Sequence, residues 1–126
     1  MKKLACMLIV AATVSSTAWA ACKPPDTPRK FPDGKTATKE QMLKAKDFFT
    51  EFDKKIETYR ACLKDEYDAQ LKKYPKADDD LKKQFFEARQ TKDDAAYMQV
   101  LQLKEEMNAQ VRAYNEAAKA RKAAEK

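Results

Sequence analysis

Residues 38–63 read TKEQMLKAKDFFTEFDKKIETYRACL, and the spacing of their apolar side chains decides the fold. Met42, Ala45, Phe49, Phe52, Ile56, Tyr59 and Leu63 follow one another in steps of three and four. That alternation places them on one helical face, as the seam of a coiled coil over three heptads. Thr38 stands where an N-cap belongs, and Gln41 three residues later completes a capping box. Phe48, Cys62, Tyr67, Leu71 and Tyr74 widen the stripe. A widened stripe predicts two contact surfaces, one for another helix and one for a different segment. Pro75 stops the helix, because it has no N–H to donate and disfavours helical geometry in the residue before it. The expected first helix is 38–74.

C-terminal to this helix, Asp78, Asp79 and Asp80 suit the positive end of a helix dipole. The alternating acids and Gly of a calcium-binding loop are absent around them. Leu81, Phe85, Phe86 and Ala88 are expected to bury one side of a helix 78–90. Arg89 to Asp94 then carries nothing apolar except the Thr91 methyl. Periodicity resumes at Ala96, Val100, Leu103, Met107, Val111, Tyr114 and Ala118. Thr91 can cap a third helix, 92–122, with Asp94 at the capping-box position. One unbroken helix would be ~68 Å long against ~54 Å for the first and would overhang it. The expectation is an all-α, elongated helical hairpin whose second arm is broken near 90–93.

N-terminal to Thr38 the sequence changes character. Residues 22–34, CKPPDTPRKFPDG, hold Pro24, Pro25, Pro28 and Pro32. Such a segment prefers polyproline II, so twelve steps cover roughly 37 Å. From Thr38 to Cys62 along a helix is about 36 Å. A strap (21–37) running back along the first helix therefore brings Cys22 beside Cys62. A type I turn at Phe31-Pro32-Asp33-Gly34 supplies the reversal, with Pro second and Gly fourth. An intermolecular bond is the competing arrangement of the two cysteines. Closing a loop of about 41 residues contributes roughly 4 kcal/mol in the chain-entropy model.

Residues 1–20 read as a secretory signal peptide. Lys2 and Lys3 precede the apolar run Leu4 to Val14, and Ala18-Trp19-Ala20 offers a cleavage site after Ala20. Eleven apolar residues are too few to span a bilayer, which takes ~20. Ala20-Ala21-Cys22 also looks like the end of a lipobox, but Trp19 replaces the usual Leu. Cys6 leaves with the signal, and Cys22 and Cys62 remain for an oxidising compartment. The processed chain has 126 − 20 = 106 residues and a charge of 24 − 20 = +4, without His, Ser or Trp.

Those absences exclude a good deal of chemistry. A Ser-His-Asp triad is impossible. A zinc site is not expected with no His and both cysteines paired. A disulfide exchanger normally carries Cys-x-x-Cys. Phosphate-cradling loops need several Gly, and Gly34 is the chain's one. We expect no catalytic, cofactor-binding or metal-ligating residues, no cofactor and no enzyme. Lys119 to Lys126, KARKAAEK, is basic. It reads either as cations at a helix C-terminus or as a tip for an anionic surface. Tyr59, Tyr67, Tyr74, Tyr97 and Tyr114 read as core or as a partner surface.

Cys22 before a Pro-rich strap, Pro32-Asp33-Gly34, Ala37-Thr38, Met42, Tyr59 and Cys62-Leu63 together resemble small exported α-helical proteins of proteobacteria. The resemblance implies that strap and cysteines belong together, and brings no activity with it. Ala37-Thr38-Lys39-Glu40-Gln41 is weakly similar to the Leu-Thr-x-x-Gln motif of Spy/CpxP-type periplasmic chaperones, with Ala in place of Leu. A second copy fails at Asp94, three residues after Thr91. The functional expectation is a periplasmic or secreted, non-catalytic interaction or structural protein with an unknown protein partner, possible self-association, no nucleic acid and no stable membrane insertion. The alternatives are an envelope chaperone and an inhibitor or immunity-type binder of a secreted enzyme.

Overall fold

Helix α1, Lys39–Lys73, starts where the cap residues require. Thr38 Oγ1 accepts the Gln41 N–H at 3.2 Å, and the Thr38 N–H donates to Gln41 Oε1 at 2.8 Å. At its other end the Tyr74 N–H donates to the Gln70 carbonyl, just ahead of Pro75. Four residues later Asp78 caps helix α2, Asp79–Ala124, by accepting the Leu81 N–H at 2.8 Å. In this computed structural model, which describes residues 21–26 and 29–126, the two helices form an antiparallel hairpin. The expected signal peptide and the cleavage site after Ala20 lie outside the described residues.

The seam of α1 packs as its spacing predicts. Met42, Ala45, Phe52, Ile56, Tyr59 and Leu63 are buried and Phe49 is half-buried. Ala96, Leu103 and Met107 are the buried residues of α2. Phe52, Ile56, Tyr59 and Leu63 form one cluster with Ala96 and Leu103, and Cys22, Phe31 and Val100 pack against it. The described part of the strap before the turn is neither helix nor strand, and its Cys22 and Phe31 supply the second contact surface that the wide stripe of α1 demands.

The second arm is one helix of 46 residues, not two. Thr91 caps nothing; its hydroxyl donates to the Glu87 carbonyl inside the helix. The apolar gap at 89–94 is filled by charge. Arg60 of α1 grips Asp93 of α2 through Nε–Oδ1 at 2.7 Å and Nη2–Oδ2 at 2.9 Å. Such a two-point contact joins the helices where no apolar pair does. The overhang is real but short: α2 exceeds α1 by 46 − 35 = 11 residues. Those residues extend past the α1 N-terminus.

The reversal also differs from the expected turn. It begins at Asp33, whose carbonyl accepts from Thr36 (3.1 Å) and Ala37 (2.8 Å) N–H groups. The Asp33 side chain accepts the Lys35 N–H. Gly34 therefore stands second in this turn, not fourth, and its φ is not positive. Its role is close approach. The Gly34 N–H donates to Gln110 Oε1 at 2.8 Å, and a Cβ here would overlap the Gln110 carbonyl oxygen.

Gly34→Ala should therefore push the turn off α2. We expect a loss of about 2 kcal/mol, an overpacking penalty, read as a lower Tm; an unchanged Tm would show that the turn does not rest on α2. Asp93→Asn tests the polar clasp. The hydrogen bond from Arg60 holds the Asp93 carboxyl below its ordinary range, more than its partial burial raises it. A depressed carboxylate stabilises above its unfolded pKa, near 3.9, and loses that stabilisation as pH falls through the folded value. The pair is partly solvent-exposed, so Asp93→Asn should cost about 1 kcal/mol at neutral pH. The gap between variant and parent in urea unfolding should narrow as pH falls from the unfolded carboxylate value through the lower folded one; a gap unchanged in acid contradicts the assignment.

Candidate functional site

The staple forms as its length arithmetic predicts. Cys22 and Cys62 are joined, with their Cα atoms 5.9 Å apart across a sequence separation of 40. The bond is within one chain, the first of the two arrangements the cysteines offered. The strap then runs along α1 toward its N-terminus, with Pro25 against Lys55, Thr58 and Tyr59. Farther on, Asp26 and Arg29 lie beside Phe48 and Phe52. Phe48 stays 37% exposed because its side of α1 faces this groove rather than α2. Burial and the nearby Glu66 carboxylate both push the Tyr59 phenol above its usual range.

Beyond Leu63 the hairpin is built differently. Between Leu63 and Ala96 no apolar residue is buried among the described residues. The cause lies in the sequence: after Leu63 the facing side of α1 carries Glu66 and Gln70, opposite Arg89 and Lys92 of α2. These polar side chains stand where apolar ones would close the interface. The expectation that Leu81, Phe85, Phe86 and Ala88 bury one side fails for this reason. Leu81 and Phe85 are only half-buried, and Phe86 and Ala88 are exposed.

The aromatic residues pushed outward pair with one another instead. Tyr67 meets Phe86 edge-on, with ring centres 6.4 Å apart. Tyr74 lies 5.8 Å from Phe85. Cations cover the rings: Arg89 stands 5.5 Å above Tyr67, and Lys73 5.3 Å from Tyr74. Aromatic–aromatic and cation–π contacts of this sort each contribute on the order of 1 kcal/mol. A cleft of about 310 Å³ opens between Glu66, Gln70, Lys73, Tyr74 and Phe85. Tyr74 is 44% and Phe86 47% exposed, so each leaves much of its roughly 2 kcal/mol of burial energy unused. Of the five tyrosines only Tyr59 is buried; Tyr67 and Tyr114 are half-buried, and Tyr74 and Tyr97 are exposed.

Periodicity gave no warning of this open end, because it registers where apolar residues fall and not what faces them. The warning lay in Glu66 and Gln70 at positions that continue the seam. Among the described residues no three His, Cys, Asp or Glu side chains converge as metal ligands would. No described helix is long and apolar enough to cross a membrane.

Replacing Cys22 and Cys62 by Ser should cost up to about 4 kcal/mol, the entropy of the loop they close. The loss should vanish when parent and variant are compared under reducing conditions. Equal stability of the two under oxidising conditions would show that the strap is held by its other contacts. No protein-family model matches the chain, and no curated protein and no solved structure matches it either.

Proposed function

We propose that the chain is an exported, non-catalytic binding protein that presents the open aromatic end of its hairpin to one protein partner. The observation that carries the reading is two exposed rings, Tyr74 and Phe86, each packed on a half-buried one, Phe85 and Tyr67, with Tyr74 and Phe85 lining the cleft. Aromatic side chains bring large contact area at little entropic cost and dominate binding hot spots. The Arg89 and Lys73 cations on the rings would favour a partner with carboxylates around an apolar centre. Export is supported by the Lys2–Ala20 pattern and by a cysteine pair that needs an oxidising compartment.

Thr38 and Gln41, which carry the likeness to Spy/CpxP-type chaperones, are both occupied in capping α1. That favours a single partner over a range of unfolded clients.

The test is a pulldown from an extract of the source organism's cell envelope with the oxidised protein as bait. It is run beside Tyr74→Ser/Phe86→Ser, whose sites are exposed enough to leave the fold intact. We expect one stoichiometric partner, with recovery at least about tenfold lower for the variant. Equal recovery would remove the aromatic end from the interface. Suppressed aggregation of a reduced, unfolded client at stoichiometric ratio would favour the chaperone instead.

A further inference from the structure

Charge is distributed unevenly along the hairpin. The Arg60–Asp93 and Gly34–Gln110 contacts set the register, so residues 29–46 lie at the same end as residues 107–126. That end carries eleven Lys and Arg against four Asp and Glu, a side-chain charge of +7. Residues 21–126 together carry only +4, so the rest of the molecule is net negative. Extending the end by one helical turn in each helix, and to Asp26 of the strap beside Phe48, adds Lys104, Asp26, Asp47, Glu105 and Glu106 and still leaves +4.

These cations are available. All eleven are exposed. Among the described residues the one ion pair at this end is Lys44–Glu40; the other four pairs lie in the middle or near the hairpin turn.

Helix dipoles explain only part of the pattern. Lys119, Arg121 and Lys122 sit at the C-terminus of α2, where cations are favourable. Lys35 and Lys39 sit at the N-terminus of α1, where the dipole disfavours them. At the opposite end Asp79 and Asp80 begin α2 and Lys72 and Lys73 finish α1, as the dipoles prefer. At the basic end the α1 N-terminus, where Lys35 and Lys39 stand with Glu40, thus follows the rule less well than the helix ends opposite.

Its shape narrows the partner. Arg112, Lys119 and Lys122 follow at steps of seven and three, on one face of α2, and Lys126 comes four further on. From Arg112 to Lys122 this row runs about 15 Å along the helix. Every apolar side chain from 115 to 126 is Ala, too small to anchor in hydrocarbon. The large apolar side chains exposed at this end, Leu43 and Val111, lie short of the α2 tip; a line of cations with only Ala along the tip suits an extended anionic plane better than a pocket-sized anion.

We propose that the basic end docks, without insertion, on an anionic phospholipid bilayer. The inference does not depend on the aromatic end and leaves that end directed away from the lipid.

Co-sedimentation with vesicles tests it. The full chain is expressed in a bacterium, purified oxidised, and its processed N-terminus fixed by mass spectrometry. The vesicles are phosphatidylcholine with or without 30 mol% phosphatidylglycerol (about the range in which anionic leaflets attract basic segments). We expect binding to the anionic vesicles alone, lost at about 0.5 M salt, where screening acts over only a few Å. Two quadruple variants carry equal charge changes. Lys119→Gln, Arg121→Gln, Lys122→Gln and Lys126→Gln together should weaken binding at least about tenfold, since each juxtamembrane cation contributes. Lys72→Gln, Lys73→Gln, Lys82→Gln and Lys83→Gln together, at the other end, should change it less than about threefold. Circular dichroism checks that both remain helical. Absence of binding at low salt, equal weakening by the two variants, or binding to soluble polyphosphate but not to vesicles would each overturn the proposal.

Discussion

Helix α1 is covered on two sides, by α2 and by the strap, and the Cys22–Cys62 bond makes the second covering possible. Two helices alone share one interface, and one interface buries too little apolar surface to stabilise a chain of this size comfortably. The strap adds a second by laying Cys22 and Phe31 against the cluster around Phe52, Ile56, Tyr59 and Leu63. A proline-rich segment makes few hydrogen bonds of its own, but its unfolded ensemble is already restricted, so ordering it costs less. The bond fixes one end of the strap and the turn at Asp33 fixes the other, where Gly34 lies directly on α2.

The features legible in the sequence are those that local rules govern. Thr38 and Gln41 capped α1 because a capping box involves four consecutive residues. The seam from Met42 to Leu63 packed because helical spacing is a local property. The staple was legible because two rise-per-residue values gave the same length. What escaped was pairwise and distant. Arg60 and Asp93 are 33 residues apart, and nothing in either neighbourhood marks them as partners. Without that pair the stretch Arg89 to Asp94 looks like a helix end; with it, the same residues continue α2. Gly34 was identified as a turn residue, but its contact with Gln110 lies 76 residues away and its position in the turn moved accordingly.

Stability along the hairpin follows from the same distribution. The middle carries the apolar cluster, the staple and the Arg60–Asp93 clasp. The end beyond Leu63 has aromatic pairs, exposed ion pairs and no buried apolar residue. Segments with few buried contacts open at lower free energy than the rest of a fold. The hairpin end can therefore separate its helices while the middle stays closed, exposing Phe85 and Tyr74 further without global unfolding. An interface placed there gains adaptability and gives up pre-organisation.

The opposite end solves a different problem. Eleven cations there repel one another, and one carboxylate pairing relieves little of that repulsion. The Gly34–Gln110 contact and the buried Ala37, Met42 and Met107 hold the three segments together against it. Screening by salt would ease the repulsion without any partner, so solubility alone could account for a high charge density. It does not account for the placement: the same cations spread along the hairpin would serve solubility as well, with less self-repulsion. Concentrating them at one end, opposite the aromatic cleft, separates the two exposed surfaces by the length of the molecule. One can then be occupied without blocking the other.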